Sequence, residues 1–404
     1  MEFIEGGICA AKGFKAAGIH CGIRKNRSKK DLALIYSEKE ATAAAVYTTN
    51  LVKGAPIAVT KEHIADGKCQ ALICNSGIAN TCNANGRAMA EAMAELAAKS
   101  LNIKAADVAV ASTGVIGEPL NIDPIAAKIN ELASSLSDEG CDDAAEAIMT
   151  TDTAEKKVAV SFTIGGKECR IGGIAKGSGM IHPDMATMLV FITSDVCISR
   201  EMLQQALSGD IQKTFNMISI DGDTSTNDTV LVMANGMAEN PVIDKDGPDF
   251  DAFMKALNTV NVALCRKLVS DGEGVTKLLE AKVQGAKTLE DAKKVAKSVV
   301  CSNLTKCAMF GEDANWGRVL CAIGYSKADI NPDTIDVAFE SSKGLLEVCK
   351  NGCGIGFNED KAKEVLSAEE INILIDLKDG DCSSTAWGCD LTYDYVKING
   401  DYRT

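Results

Sequence analysis

Lys176-Gly177-Ser178-Gly179-Met180-Ile181-His182-Pro183-Asp184-Met185-Ala186-Thr187-Met188-Leu189 is the stretch on which the reading of this chain turns. Its glycines permit backbone shapes closed to other residues and let a ligand approach the main chain. Pro183 fixes the turn, and Thr187 stands at the head of the apolar, strand-like run Thr187-Met188-Leu189-Val190-Phe191-Ile192-Thr193. The plain reading is a loop that enters a buried strand, with Thr187 as an ordinary β-branched strand residue. No Walker pattern is present, because Lys176 precedes its glycine, so the segment gives little support to a nucleotide site. A sharper reading makes Thr187 a nucleophile.

Working outward, strand and helix signals alternate. Upstream, Gly172 to Gly179 reads as a Gly-rich loop, and Val158 to Ile164 followed by Gly165-Gly166 reads as a hairpin. A helix with the acidic start Asp142-Asp143 runs into Met149-Thr150-Thr151-Asp152-Thr153. Val108 to Ala111 reads as a strand ending at Ser112-Thr113-Gly114, and Gln70 to Cys74 and Asp31 to Ser37 as two more. Between them an Ala-rich helix, Arg87 to Lys99, places Met89, Met93 and Leu96 on one face. Downstream, Phe253, Leu257, Val260, Leu264 and Leu268 mark a long amphipathic helix ending near Ser270. Thr288-x-x-Asp291 resembles a capping box, and a domain boundary is expected near Gly285. The mixture predicts an α/β or α+β protein of layered sheets and helices.

Composition narrows the function classes. At 404 residues two or three packed domains are expected, and 46% hydrophobic with 24% charged residues fits a folded chain. Lys plus Arg is 42 against 56 Asp plus Glu, a net charge of −14, which argues against nucleic acid as the main partner. No apolar run approaches the roughly 18 residues that a membrane span needs. The first residues carry neither the basic flank nor the apolar stretch of a secretion signal, so a cytoplasmic location is expected. Sixteen cysteines, none in Cys-x-x-Cys spacing, read as reduced, buried thiols, and His20, His63 and His182 are too scattered for a metal site.

That scarcity of histidine bears on mechanism. A threonine hydroxyl needs a base to take its proton. One base needs no histidine: the residue's own α-amine, with a pKa of roughly 7.7–8.0, which exists only if the Ala186–Thr187 bond is cut. Attack of the Thr187 hydroxyl on the Ala186 carbonyl, followed by hydrolysis of the ester, would mature the chain and free that amine.

The segment from Lys176 to Leu189 resembles the maturation site of the ornithine acetyltransferase family, the ArgJ enzymes of arginine biosynthesis. The likeness extends along the chain through Gly13-Phe14-Lys15-Ala16-Ala17-Gly18, Asn75-Ser76-Gly77, Ser112-Thr113-Gly114-Val115-Ile116-Gly117 and Met149-Thr150-Thr151-Asp152-Thr153. It continues through Asp221 to Thr229, Asp271-Gly272-Glu273-Gly274, Gly311 to Arg318 and Asp394 to Thr404. The resemblance implies an N-terminal-nucleophile-like αββα sandwich of the DmpA/ArgJ type with a smaller C-terminal α/β domain. Residues 1–186 would form one fragment after self-cleavage, 187–284 would complete the catalytic domain, and 285–404 would form the C-terminal domain.

It implies a self-cleaving acetyltransferase that moves the acetyl group of N2-acetyl-L-ornithine to L-glutamate. Thr187 would be the nucleophile, and Thr113 and Gly114 the oxyanion hole. Thr150, Lys176, Glu273, Asn399 and Thr404 would bind substrate, with the choice among Thr150, Thr151 and Thr153 open. Read alone, Thr113-Gly114 is a strand-ending turn, Lys176 and Glu273 are solvated charges, and Asn399 and Thr404 belong to a chain end that normally frays. No metal or organic cofactor is implied. Acetyl-CoA is an open second acetyl donor, since the family contains members of both kinds. The implied assembly is an α2β2 heterotetramer. Asp184, Ile78, Asn83-Ala84-Asn85 and Gly400 depart from the usual pattern, and none carries an assigned role. The rival reading is a related self-cleaving amidase or aminopeptidase, in which water takes the acyl group.

Overall fold

The computed structural model describes residues 1–26, 29–182 and 188–401. Its strands are β1 (Glu2–Ile4), β2 (Phe14–Ile19), β3 (Leu32–Tyr47), β4 (Lys68–Asn75), β5 (Val108–Ser112), β6 (Lys156–Ile164), β7 (Lys167–Lys176) and β8 (Leu189–Ser194). Then follow β9 (Ile218–Ser219), β10 (Thr229–Ala234), β11 (Leu278–Ala286), β12 (Asp336–Ser341), β13 (Gly344–Lys350), β14 (Cys353–Gly354), β15 (Glu370–Asp376) and β16 (Cys382–Cys389). With the helices between them they form the mixed α/β architecture of two sheets that the sequence predicts. Two compact units result, one of Met1–Gly177, Asp184–Gln212 and Thr224–Leu264, the other of Ser178–Pro183, Lys213–Asp223 and Cys265–Thr404.

The sheet of the first unit runs β1-β6-β7-β8-β10-β3-β4-β5, with β2 also paired to β3. Leu32 and Leu34 point into one apolar cluster while Ala33 and Ile35 point into another, the period-2 alternation of a strand covered on both faces. Helices Gly86–Leu101 and Asp123–Ser134 fill the first face, and Cys141–Ile148 fills the second. On Gly86–Leu101 the fully buried stripe is Ala90, Met93, Ala94 and Ala97, with Met89 and Leu96 only partly buried. Small alanines therefore share the buried face with Met93, while Met89 and Leu96 pack at its margin, a narrowing of the expected face.

The expected hairpin is present: β6 and β7 pair from Ile164↔Lys167 to Lys156↔Ala175. Gly165 and Gly166 both take positive φ (54° and 78°), as the tight hairpin turn requires. The Gly-rich segment is a loop only from Gly177 onward, however. Gly172 and Gly173 lie inside β7, where a side chain on Gly172 would collide with the Gly7 carbonyl. These glycines answer close backbone packing rather than a turn. On β8, Leu189 is flanked by Lys176 of β7 and Thr229 of β10.

In the second unit the sheet runs β14-β13-β12-β15-β11-β16-β9. Helix Leu289–Cys301 buries Ala292, Val295, Ala296, Val299 and Val300. Thr288 caps it: its hydroxyl accepts from the Asp291 amide at 3.1 Å, and the Asp291 side chain closes on that hydroxyl at 2.7 Å rather than on the Thr288 amide of a full capping box. Gly285, near which a boundary is expected, lies within β11 at a register shift, with φ +70°. There glycine serves a β-bulge. The long helix Pro248–Ser270 keeps Phe253, Leu257, Val260, Leu264 and Leu268 buried as the pattern requires.

Candidate active site

In the first unit the chemistry gathers where β7 ends. Lys176, its last residue, is buried, and its Nζ donates to the Thr150 hydroxyl at 2.8 Å. Among the three clustered threonines, the structure therefore places Thr150 against the lysine. Asp152, fully buried, lies 3.9 Å from the same ammonium. The Asp152 carboxylate accepts three shorter bonds, from Lys156 Nζ at 2.7 Å, the Gly177 amide at 2.7 Å and the Thr150 amide at 3.0 Å.

Burial by itself would raise the Asp152 carboxyl, but the Lys176 and Lys156 charges and its hydrogen bonds hold it well below the ordinary carboxylate range. Burial pushes the Lys176 ammonium down, and Asp152 partly opposes that. Asp228, just before β10, goes the other way: burial raises it well above the usual range. Its Oδ2 has no hydrogen-bond partner among the described residues. Two buried carboxyls near one lysine are thus shifted in opposite directions.

Thr113 and Gly114 follow β5. The Thr113 amide donates to the Asn75 carbonyl at 2.9 Å, and Gly114 takes φ +126° against the Gly77 backbone, where a side chain would collide. Asn75 Oδ1 accepts from the Gly77 and Ile78 amides, and its Nδ2 donates to the Ser112 hydroxyl at 2.6 Å. Asn227 Nδ2 donates to the Ala79 and Ser112 carbonyls at 2.6 and 2.8 Å. The Thr113-Gly114 turn is therefore braced from two chain segments, and its backbone shape is open only to glycine at 114. Arg24 adds a third tie, its guanidinium donating to the Ser76 and Met149 carbonyls.

In the second unit Glu273 is buried, and its amide donates to the Ser178 carbonyl at 2.9 Å. Gly179 leaves room for the Glu273 carboxylate, which a Cβ there would meet at 2.5 Å. Asn399, on the helix Tyr393–Gly400, donates to Glu273 Oε2 at 2.7 Å. Thr392 caps that helix and ties it to the Gly274 carbonyl at 2.6 Å. The structure therefore brings together Thr150 with Lys176, and Glu273 with Asn399. Ala186, Thr187 and Thr404 lie outside the described residues.

Sequence reasoning passed over Asp152 as a working residue, along with Lys156, Asp228 and Asn227. Two of them were within reach: Asp152 and Lys156 stand four apart beside the threonine cluster. The expectation of uniformly buried cysteines also needs correction. Cys69 and Cys74 are buried, with thiols that burial pushes up to about 12, whereas Cys82, Cys307, Cys321 and Cys353 are exposed. None of the helices among the described residues is long and apolar enough to cross a membrane.

A buried ammonium held against a hydroxyl and a glycine turn braced by distant chain segments both stand on a mixed α/β frame. The ArgJ family model matches residues 15–404, and the chain belongs to that family of arginine-biosynthesis enzymes. The arginine biosynthesis bifunctional protein ArgJ of Caldanaerobacter subterraneus subsp. tengcongensis is 53% identical, with all of both chains covered. A crystal structure of the bifunctional protein argJ from Bacillus halodurans is 46% identical, with a TM-score of 0.50, over 52% of this chain and 98% of that one. A structure of ornithine acetyltransferase complexed with ornithine from Mycobacterium tuberculosis is 38% identical, with a TM-score of 0.43, over 46% of this chain and 99% of that one.

Proposed function

We propose that the chain cuts itself before Thr187 and then carries acetyl groups from N2-acetyl-L-ornithine to L-glutamate through an acetyl-Thr187 ester. The observation that carries the reading is the ArgJ family match along nearly the whole chain. In the first half-reaction the Thr187 hydroxyl attacks the acetyl carbonyl and passes its proton to the residue's own α-amine. The oxyanion is stabilised by Thr113 and Gly114, and ornithine leaves with the proton returned to its nitrogen. Such donors are worth roughly 2.7–4 kcal/mol in a comparable enzyme. Glutamate then takes the acetyl group by the reverse sequence, giving N-acetyl-L-glutamate.

Lys176 faces the substrate carboxylate, because its ammonium is less tightly committed to Asp152 than that of Lys156. Thr150 supports it. Glu273, with Asn399 and Thr404, takes the substrate ammonium. The relatives' shared description as bifunctional favours acetyl-CoA as a second donor to glutamate, and a CoA-release assay tests that arm. No other cofactor enters this scheme. The working form in this reading is two fragments, assembled as α2β2 in the cytoplasm; the solved Bacillus halodurans chain, matched to about half of this one, supports the division into fragments.

Thr187→Ala is expected to run as one uncut chain on a denaturing gel and to transfer no acetyl group. Normal cleavage in that variant refutes the assignment. Product analysis with and without glutamate separates acetyl transfer from an amidase or aminopeptidase, in which water takes the acyl group.

A further inference from the structure

We propose that Asp152 is a positioning residue for the Lys176 site: anchored by Lys156, its carboxylate fixes the Thr150 turn against the end of β7 and holds Lys176 as a cation beside Thr150. The proposal rests on the reading of Lys176 as the partner of the substrate carboxylate.

The geometry is that of a bracket. One carboxylate accepts from the amides of Thr150 and Gly177, which are far apart in sequence, and so fixes the spacing of the two segments that carry Thr150 and Lys176. Lys156 Nζ closes the bracket at 2.7 Å and also donates to the Ala154 carbonyl at 3.3 Å. Lys176 stands further off, at 3.9 Å, within Coulomb reach of Asp152 yet hydrogen-bonded to Thr150 instead. The arrangement leaves Lys176 part of its charge to offer a ligand, while Lys156 absorbs most of the carboxylate.

Several charged or titratable groups face Lys176. Asp152 lies on the loop before β6, Lys156 on β6, Asp228 before β10, Arg24 after β2 and the Cys74 thiol on β4. Burial lowers the lysine, Asp152 and Asp228 raise it, and Lys156 and Arg24 lower it. A substrate carboxylate meets a cation only below the lysine's own pKa, so KM is flat there and climbs as pH rises through it. Removing the Asp152 charge moves that climb to lower pH. Removing the Lys156 charge moves it to higher pH. A merely structural role produces no shifts of opposite sign.

The experiment measures kcat and KM for N2-acetyl-L-ornithine from neutral pH up to the ordinary lysine range, about pH 10.4. The same donor serves every protein, so titration of its own ammonium cancels between them. Asp152→Asn is expected to move the alkaline climb in KM down by about one pH unit, raising KM about tenfold at mid-range with a much smaller change in kcat. Lys156→Gln is expected to move it up. If Asp152→Asn does not fold, Lys156→Gln and the double variant carry the test, the double bringing the climb back toward the wild-type position. Climbs that stay where the wild type has them overturn the proposal. Lys176→Met is the check on the underlying reading. A KM at least tenfold higher supports it, and an unchanged KM removes that reading and this proposal together. Failure of the positioning role alone is distinct: Lys176→Met raises KM while the other variants leave the climb unmoved.

Discussion

The Lys176 site and the helix that carries Asn399 are built in opposite ways. In the first, the charged groups are buried and come from distant parts of the chain: Asp152 from the loop before β6, Lys176 from β7 and Asp228 from before β10. In the second, an eight-residue helix with Tyr393 84% and Val396 69% exposed is fixed by its Thr392 cap and the Asn399 bond to Glu273. A buried ionic cluster forms only with the whole fold and is costly to break by halves. A short exposed helix has little stability of its own, because its costly nucleus is repaid by few bonds. The two regions should therefore fail differently, the first by loss of folding and the second by local fraying.

The largest effect expected of that contrast is on global stability. Lys156→Ala leaves Asp152 buried without its nearest cation and should cost about 3–5 kcal/mol, read as a lower urea midpoint at unchanged slope. The exposed pair Arg87–Glu62 is the control: Arg87→Ala there should leave the midpoint close to that of the wild type. Equal losses at the two places would break the contrast, since they would mean that burial adds nothing to the Asp152–Lys156 pair.

The sequence exposed local structure well and long-range polar partnerships poorly. The hairpin at Gly165-Gly166, the Thr288 cap and the long helix through Phe253 and Leu268 follow from periodicity and turn chemistry within a few residues. Gly172 misled because glycine is permitted in a loop and required at a crowded strand alike, and only the approach of Gly7 distinguishes them. At the site, Thr150 and Lys176 were singled out by family resemblance, yet their contact depends on β7 returning along β6 beside the Thr150 loop. Asp152 was hidden for the same reason. Its partners lie 2, 4 and 25 positions away, and a carboxylate in a Thr-rich segment reads as a cap or a solvated charge until burial is known.

A middle-sized effect sharpens the contrast inside the first region. Asp228 is raised by burial, so the folded state holds its proton where the unfolded chain has lost it, and folding stability falls as pH rises above the ordinary carboxylate range. Asp228→Asn supplies the neutral group permanently. The variant should gain on the wild type by up to about 1.4 kcal/mol per pH unit through that window, with the gain vanishing in acid. Asp152 has the reverse sign: its depressed carboxyl contributes stability that is lost as pH falls. Denaturation midpoints at several pH values separate the two, and a loss for Asp228→Asn at neutral pH would mean that the carboxyl is ionised and paired.

The smallest effect belongs to the C-terminal helix. Thr392 accepts from the Tyr395 amide at 3.4 Å while its hydroxyl donates to the Gly274 carbonyl at 2.6 Å, so one side chain both starts the helix and ties it beside Glu273. Thr392→Ala removes both ties, a change worth about 1 kcal/mol for the cap. The core does not depend on this helix, so the urea midpoint should stay within error while amide exchange from Tyr395 to Gly400 quickens. If Asn399 reaches substrate from this helix, KM for N2-acetyl-L-ornithine should rise about fivefold, as 1 kcal/mol of fraying requires, with kcat changed less. A midpoint that falls as far as that of Lys156→Ala would show the helix folding as one unit with the core. Faster exchange with an unmoved KM would leave Asn399 as a structural partner of Glu273 and place the recognition of the ammonium on the buried carboxylate alone.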